Sequence, residues 1–561
     1  MEKVHKSYKD YSITDIWKKK VKKNLSVSLV FPTLNEEFTI ESVINMTNDT
    51  FCINQTPIID EIVILDGGSS DKTLEICNNL VSSGCKSLKI YNQHDLSLQI
   101  ISSSKNGKGD ALYKSLYVTT SDIIIWIDAD IKNYDEKFVI GLLGPLIVDE
   151  VKFSKGYYRR PYLTSENEIS KDKNVSGGRV TELCARPMFN ALYPELKHII
   201  QPLGGEYGGY RECLENLEFS SGYGVETMLL LKLNELYGSK SICQVDLGER
   251  IHRHQPLCNL TRMSFVIIQT FLKQLEVEHK IDLIKNKELF YLPNQQSEDK
   301  YSKVRKEGSL HDDVFLKQTL DEEFKIPMIK HEIYQKKFYP NSRCVTINFI
   351  RHGETNYNTD GIIQGHLDSY LTSNGNNQTE NLKKFLNINS DDLIYSSDLL
   401  RCRQTCEILF GSNNNKIVNY TELLRERNMG KYQGVKSNKL LSENLLLMEQ
   451  IEDGESLSEL SERIDKFLNL ITLKLHNSKV SNIYVITHST FILNFYKNIF
   501  GKIPNIIPEN TSISSFDILI SDKIDKVFLN HWNNKNVSSE KLELITTKIQ
   551  QESINNVNFF T

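Results

Sequence analysis

Twice along this chain, apolar strand-like runs alternate with longer segments of helical character. The first series extends from about Leu25 to Glu249 and contains VSLVFP (Val27 to Pro32), EIVILD (Glu61 to Asp66) and DIIIWID (Asp122 to Asp128). The second starts at Val345 and contains DLIYSS (Asp392 to Ser397) and NIYVIT (Asn482 to Thr487). Strands joined through helical crossovers build α/β folds with largely parallel sheets. A chain of 561 residues is too long for one ordinary core. Two α/β domains are therefore expected, over residues 1–340 and 341–545, with a polar tail at 546–561. The charged stretch Asn259 to Pro340 reads as mostly helical, completing the first domain and including a polar loop.

With 39% hydrophobic and 25% charged residues the chain reads as soluble and globular. A net charge of -5 argues against a general nucleic-acid binder, which needs a basic face to displace counterions. The lysine-rich start has no apolar core of a secretory signal, and no apolar run is long enough to span a bilayer, so no membrane partner is expected. Ten cysteines without a CxxC pair fit reduced thiols in a cytoplasmic protein rather than a disulfide framework or a zinc site.

In open α/β sheets ligands bind beyond the carboxyl ends of strands. In the first series those positions hold Asn35, Glu36 and Glu37, then Asp66, then Asp128 and Asp130. The five carboxylates are expected to converge on one crevice. Crowded carboxylates repel and call for a cation. Two aspartates spaced by one residue share a face of extended backbone, and oxygen ligands suit Mg²⁺ or Mn²⁺ bridging a diphosphate.

FPTLNEE, ILDGGSSDKT, GKGDAL and WIDADI, in this order, resemble the nucleotide-diphospho-sugar domain of GT-A glycosyltransferases. SGGRVTELCARP, SSGYGVE and VDLGERIHRHQPL narrow the resemblance to the glucosyl-3-phosphoglycerate synthase family, over most of residues 25–335. The resemblance implies a donor site at Pro32, Thr33, Leu34, Glu36 and Gly67, with Lys108 near the diphosphate and Asp128 and Ala129 in the metal motif. It makes Asp128, Asp130 and His252 ligands of a divalent cation. Gly178, Arg179 and Thr181 match the acceptor pocket, where backbone amides and a guanidinium grip phosphate or carboxylate. Tyr223 and Glu226 match positions near the transferred sugar, Glu226 among the catalytic residues. Retention of anomeric configuration is likewise only implied by the family.

In VTINFIRHGETNYN, Val345, Ile347 and Phe349 alternate as a strand does, and His352 emerges at its carboxyl end. NIYVITHS delivers His488 in the same way, so the two histidines can share a pocket. A neutral imidazole attacking phosphorus needs cations around the phosphoryl oxygens and an acid for the leaving alkoxide. Arg351 and Arg401 supply the first; Glu426, in LLRERNMG, can supply the second. RHGETNYN, QGHLDSYLTSNG, SSDLLRCRQT, LRERNMGKYQG, DGES and THST resemble the histidine phosphatase (phosphoglycerate mutase-like) superfamily over about Val345 to Leu529.

That resemblance implies His352 as phosphohistidine nucleophile and Glu426 as proton donor. It implies Arg351, Arg401, Asn358, Gln364 and His488 around the phosphoryl group, and no cofactor for this domain. Together the two resemblances imply a bifunctional enzyme. It would join glucose from UDP-glucose or another nucleoside-diphosphate glucose to 3-phosphoglycerate, then remove the phosphate. Mannose in place of glucose, a mutase or sensor role for the second domain, and a polyprenyl-phosphate glycosyltransferase are the rival readings. A homo-oligomer is left open.

Overall fold

In the computed structural model the apolar runs of the first series become the middle of a sheet. It describes residues 5–99, 107–160, 178–251, 257–278, 290–293, 315–318, 324–411, 417–437, 445, 448–475, 478–504 and 506–534. The chain divides into two compact units, Met1–Tyr334 and Gln335–Thr561.

The strands of the first unit are β1 (His5–Ser7), β2 (Val27–Thr33), β3 (Glu61–Asp66), β4 (Leu88–Asn92), β5 (Ile123–Trp126), β6 (Phe153–Arg159), β7 (Tyr207–Tyr210), β8 (Phe219–Ser220) and β9 (Ile242–Glu249). Eight of them form one sheet in the order β1-β9-β6-β7-β5-β2-β3-β4. Helices cover both faces of the central strands, so β2, β3 and β5 read as unbroken apolar runs rather than alternating ones. Leu29, Phe31, Ile62, Ile64 and Ile125 belong to the same buried core as Phe138 and Leu142 of the helix Glu136–Ile147. The pairs on the β2 side of β5 are parallel; β7 alone runs antiparallel to both neighbours. That reversal brings the chain before β7 against the carboxyl end of β5.

The stretch after Asn259 departs from the helical expectation. A helix does span Leu257–Val277, but β10 (Phe290–Pro293) and β11 (Phe315–Gln318) pair antiparallel, and β12 (Phe324–Lys325) pairs with β8. Short strands of this kind are held by partners distant in sequence, which local periodicity does not register. The expected polar loop and C-terminal tail lie largely or wholly outside the described residues.

The second unit contains β13 (Arg343–Arg351), β14 (Leu393–Ser397), β15 (Val418–Thr421), β16 (Asn482–Thr487), β17 (Ile513–Ile520) and β18 (Ile524–Asn534). Their order is β15-β14-β16-β13-β17-β18, with the first four parallel and the last two antiparallel. Phe349 on β13 packs on Phe495 of the helix Ser489–Phe500 with ring centroids 4.7 Å apart, and Phe495 on Phe516 at 4.9 Å. Parallel register sets Ile350 opposite Ile486 and Arg351 opposite Thr487. One residue further, His352 and His488 leave adjacent strand ends side by side.

Candidate active sites

The first site lies where β5 ends. β5 stops at Trp126, so Asp128 and Asp130 are not two positions on one extended face as expected; they lie in the turn beyond the strand. What brings them together is Arg250, immediately after β9. Its guanidinium reaches Asp128 at 3.0 Å and Asp130 at 2.7 Å through Nη2, and Glu206 at 3.2 Å through Nη1. Lys108, at the start of the helix Lys108–Val118, adds contacts to Asp128 at 2.7 Å and to Glu226 at 2.9 Å.

Three cations and four acids thus share one crevice, the third cation being Lys155, whose Nζ donates to the Gly204 carbonyl at 2.6 Å. Burial works against the charge on Lys108, but Asp128 and Glu226 outweigh it and hold the ammonium well above its ordinary pKa. Burial likewise opposes ionisation of Asp128, and Lys108 and Arg250 outweigh it, so this carboxylate titrates well below the usual range. Burial dominates at the other two: Glu206 is raised despite Arg250, and Lys155 is brought down to about 8 despite Glu226 and Glu206.

Only part of the expected carboxylate cluster assembles. Asp66 builds the turn after β3, accepting from the Gly68 and Ser69 amides at 2.8 and 2.9 Å, and Glu37 accepts from the Lys72 amide at 3.1 Å. Glu206 and Glu226 take their places in the network. The donor-side residues cluster at the ends of β2 and β3: the Gly67 amide donates to the Thr33 carbonyl at 2.9 Å, Pro32 pairs with Leu65, and Leu34 is exposed. The Glu36 amide donates to Thr73 Oγ1 at 2.8 Å, and the Ala129 carbonyl accepts from Thr39 Oγ1 at 2.7 Å. Tyr223 is half-exposed, just before the helix Val225–Tyr237 that carries buried Glu226.

Thr181 lies within one turn of Gly178, whose φ of +112° suits glycine; Arg179 between them is exposed. Tyr158 Oη accepts from Arg160 Nη2 at 3.0 Å and from Arg250 Nη1 at 2.8 Å, linking Arg160 to the guanidinium that holds Asp128 and Asp130. Arg250, Glu206, Lys155 and Tyr158 were not singled out from sequence, although a cation right after a strand that faces acids is a signal for the first. His252 lies outside the described residues, and among the described residues no cluster of three His, Cys, Asp or Glu is placed to hold a metal.

In the second unit His352, His488 and Arg401 come together. His352, buried, sets Nδ1 2.8 Å from the Gly353 carbonyl. A carbonyl only accepts, so Nδ1 carries the proton and Nε2 keeps its lone pair for a nucleophilic role. The imidazole centroids of His352 and His488 are 5.2 Å apart. Arg401 Nε donates to His488 Nδ1 at 3.2 Å, which puts the proton of His488 on Nε2, 2.9 Å from Ser397 Oγ. Burial first, then the nearby arginines, push both histidines well below their ordinary pKa, so both are neutral. Arg351, brought down to about 10 by burial, still carries its charge at neutral pH; its Nη1 donates to the Pro508 carbonyl at 2.8 Å.

Arg401 is fixed by donating to the carbonyls of Leu367 and Gly365 at 2.9 and 2.8 Å. Glu426 is buried; its Oε1 accepts from the Arg427 amide at 2.9 Å and its Oε2 from the Thr490 amide at 3.4 Å. Asn358 spends its carbonyl oxygen on the Thr355 amide at 3.1 Å, leaving its NH₂ for a ligand. Gln364 accepts from Ser369 Oγ at 2.7 Å.

Comparison with known proteins matches the glycosyl transferase family 2 model over residues 28–157 and the histidine phosphatase superfamily (branch 1) model over residues 347–534. The chain is 39% identical over 329 residues to the glucosyl-3-phosphoglycerate synthase of Petrotoga mobilis, covering 58% of this chain and 93% of that one. It is 43% identical over 250 residues to the enzyme of the same name from Mycolicibacterium smegmatis, covering 44% and 77%. A broad-specificity phosphatase of Saccharomyces cerevisiae is 28% identical over 197 residues, covering 33% of this chain and 84% of its own length. Among solved structures, glucosyl-3-phosphoglycerate synthase from Mycobacterium tuberculosis in complex with Mn²⁺, UDP-glucose and phosphoglyceric acid aligns at 32% identity over 57% of this chain and 94% of that one, with a TM-score of 0.45.

Proposed function

This chain belongs to the glucosyl-3-phosphoglycerate synthase family, and on that premise we propose that it makes glucosylglycerate in two steps, one in each unit. In the first, the free hydroxyl of 3-phosphoglycerate replaces the nucleoside diphosphate at the anomeric carbon of UDP-glucose. The bond from that carbon to the diphosphate oxygen breaks, the bond to the acceptor oxygen forms, and the hydroxyl proton is released with the diphosphate. Lys108 and Arg250 supply positive charge where the diphosphate gathers its negative charge. Gly178, Arg179 and Thr181 hold the acceptor's anionic groups, and Glu226 and Tyr223 flank the sugar.

Asp128 and Asp130 offer the hard oxygen ligands that Mg²⁺ or Mn²⁺ takes, and both are partly solvent-accessible, so the donor set fits such an ion, with His252 as a further ligand. Bound there, the ion would neutralise the departing diphosphate. Arg250 then keeps Glu206 as its partner, which remains an acid within reach of Nη1.

In the second step the Nε2 lone pair of His352 attacks phosphorus while the phosphate ester bond breaks and Glu426 delivers its proton to the leaving alkoxide. Water, giving a proton back to Glu426, then attacks the phosphohistidine and releases orthophosphate with free His352. Arg351, Arg401 and the NH₂ of Asn358 hold the phosphoryl oxygens. The observation that carries the two-step reading is His352, with Nδ1 held by Gly353, beside His488, which Arg401 in turn contacts, in the same chain as the synthase site.

The test is to incubate the full chain with UDP-glucose, 3-phosphoglycerate and Mg²⁺ and follow product mass and free phosphate. Glucosylglycerate and phosphate are expected in equal amounts, and His352→Ala should stop at the phosphorylated glycoside. Phosphate release by that variant at the normal rate would remove His352 from the reaction.

A further inference from the structure

Glu426 lies on a short irregular segment between the 3-10 turn Glu422–Leu424 and Arg427. A carboxyl group that must meet a leaving oxygen within a fraction of an ångström needs that segment held, because a misplacement of about 1 Å costs on the order of 10²-fold in rate. No regular secondary structure holds it here. Its carbonyls end on side chains instead.

One guanidinium collects most of them. Arg463, on the helix Leu457–Leu475, donates through Nη1 to the carbonyls of Leu423 at 2.8 Å and Arg425 at 2.7 Å, and through Nη2 to the carbonyl of Glu426 at 3.3 Å. Its remaining donors go to one carboxylate, Nε to Glu455 Oε1 at 2.8 Å and Nη2 to Glu455 Oε2 at 2.7 Å. Five donors meet five acceptors, the full capacity of a guanidinium and more than an ammonium can offer. The Glu426 carbonyl takes a second bond, from His366 Nε2 at 2.8 Å.

Resting on the reading of Glu426 as proton donor, we propose that Arg463, seconded by His366, is the positioning residue of the second site: it fixes the peptide of Glu426 and through it the carboxyl group. Arg463 does not touch the reacting phosphoryl group, so its loss acts on protonation of the leaving group rather than on attack by His352. Leaving-group chemistry separates the two. p-Nitrophenolate leaves without a proton, whereas the alkoxide of glycerol phosphate or 3-phosphoglycerate needs one, and general acid help of this kind is worth about 10²–10⁴-fold.

The experiment measures kcat and KM of the full chain on p-nitrophenyl phosphate and on an alkyl phosphate for wild type, Glu426→Gln and Arg463→Lys. Arg463→Lys should lower kcat/KM, which reports the steps up to formation of the phosphohistidine, by about 10- to 100-fold on the alkyl ester and by less than about 3-fold on the aryl ester; kcat also contains the water step that Glu426 serves for both esters. An equal loss of kcat/KM on both esters, or no loss, overturns the proposal. If Arg463→Lys does not fold, His366→Leu takes its place under the same criterion, a smaller loss confined to the alkyl ester being expected. Glu426→Gln reads the premise separately: if it too loses kcat/KM equally on both esters, Glu426 is not the donor, whatever Arg463 does.

Discussion

His352 and His488 are buried among arginines, and that environment has a consequence beyond nucleophilicity. An unfolded histidine takes up its proton near pH 6.5. In the fold, burial and then the Arg401 charge keep both rings neutral well below that value. The unfolded chain therefore binds more protons than the folded one as pH falls below about 6.5, so this contribution to stability is complete above that pH and is lost on acidification. Each ring contributes a slope of about 1.4 kcal/mol per pH unit. Urea unfolding of the second unit between pH 7 and 5 should show it, and His488→Gln should flatten the slope by one ring's share. An unchanged slope would mean that His488 is protonated in the fold. His352 and His488 were legible in the sequence because each follows an apolar run that places it at a strand end; Arg401, on the helix Leu400–Phe410, and Glu426, a carboxylate among arginines on an irregular segment, were read with them only because their motifs occur together. Arg250 and Glu206 were not. Their meeting depends on β6 pairing in parallel with β9 and on the reversed β7, contacts between segments tens of residues apart.

At the level of elements, the approach to β7 decides how closely the acids of the first site can pack. Gly205 lies just before β7, and a Cβ on it would overlap the Asp128 carboxylate. Asp128 has little room to yield, since Lys108 and Arg250 hold its two oxygens at 2.7 and 3.0 Å. Gly205→Ala should therefore push Asp128 out of register with both cations. Overpacking of this kind costs about 1–3 kcal/mol, and glucosyl transfer should fall at least about 10-fold, since a displacement near 1 Å suffices for more. Hydrolysis of alkyl phosphate by the same protein should be unaffected, and transfer at the wild-type rate would show that Asp128 tolerates the shift. The central strands were legible because parallel strands covered on both faces carry unbroken apolar runs. β10 and β11 were not, since FYLP and FLKQ are short and their pairing, Phe290 opposite Gln318, spans a long intervening segment.

For the whole molecule the relevant fact is that each site is built within its own unit. The network of Lys108, Asp128, Asp130, Glu206, Glu226 and Arg250 belongs to Met1–Tyr334, and that of His352, Arg401, Glu426, Arg463 and His488 to Gln335–Thr561. A lesion in one should leave the chemistry of the other intact. Asp130→Ala removes a partner of Arg250 and should abolish glucosyl transfer while hydrolysis of supplied glucosyl-3-phosphoglycerate continues. His352→Ala should do the reverse. Mixed as full chains with UDP-glucose, 3-phosphoglycerate and Mg²⁺, the two variants should together make glucosylglycerate that neither makes alone. The phosphorylated intermediate then has to diffuse from one molecule to the other, so free phosphate should appear after a lag that shortens as total protein is raised. Tethering the two steps in one chain removes that encounter as a concentration-dependent step. If the mixture accumulates phosphorylated glycoside and releases no phosphate, although the Asp130→Ala chain still hydrolyses the same compound when it is supplied, the intermediate does not leave the chain that makes it. If that chain has lost hydrolysis as well, the two sites are not independent.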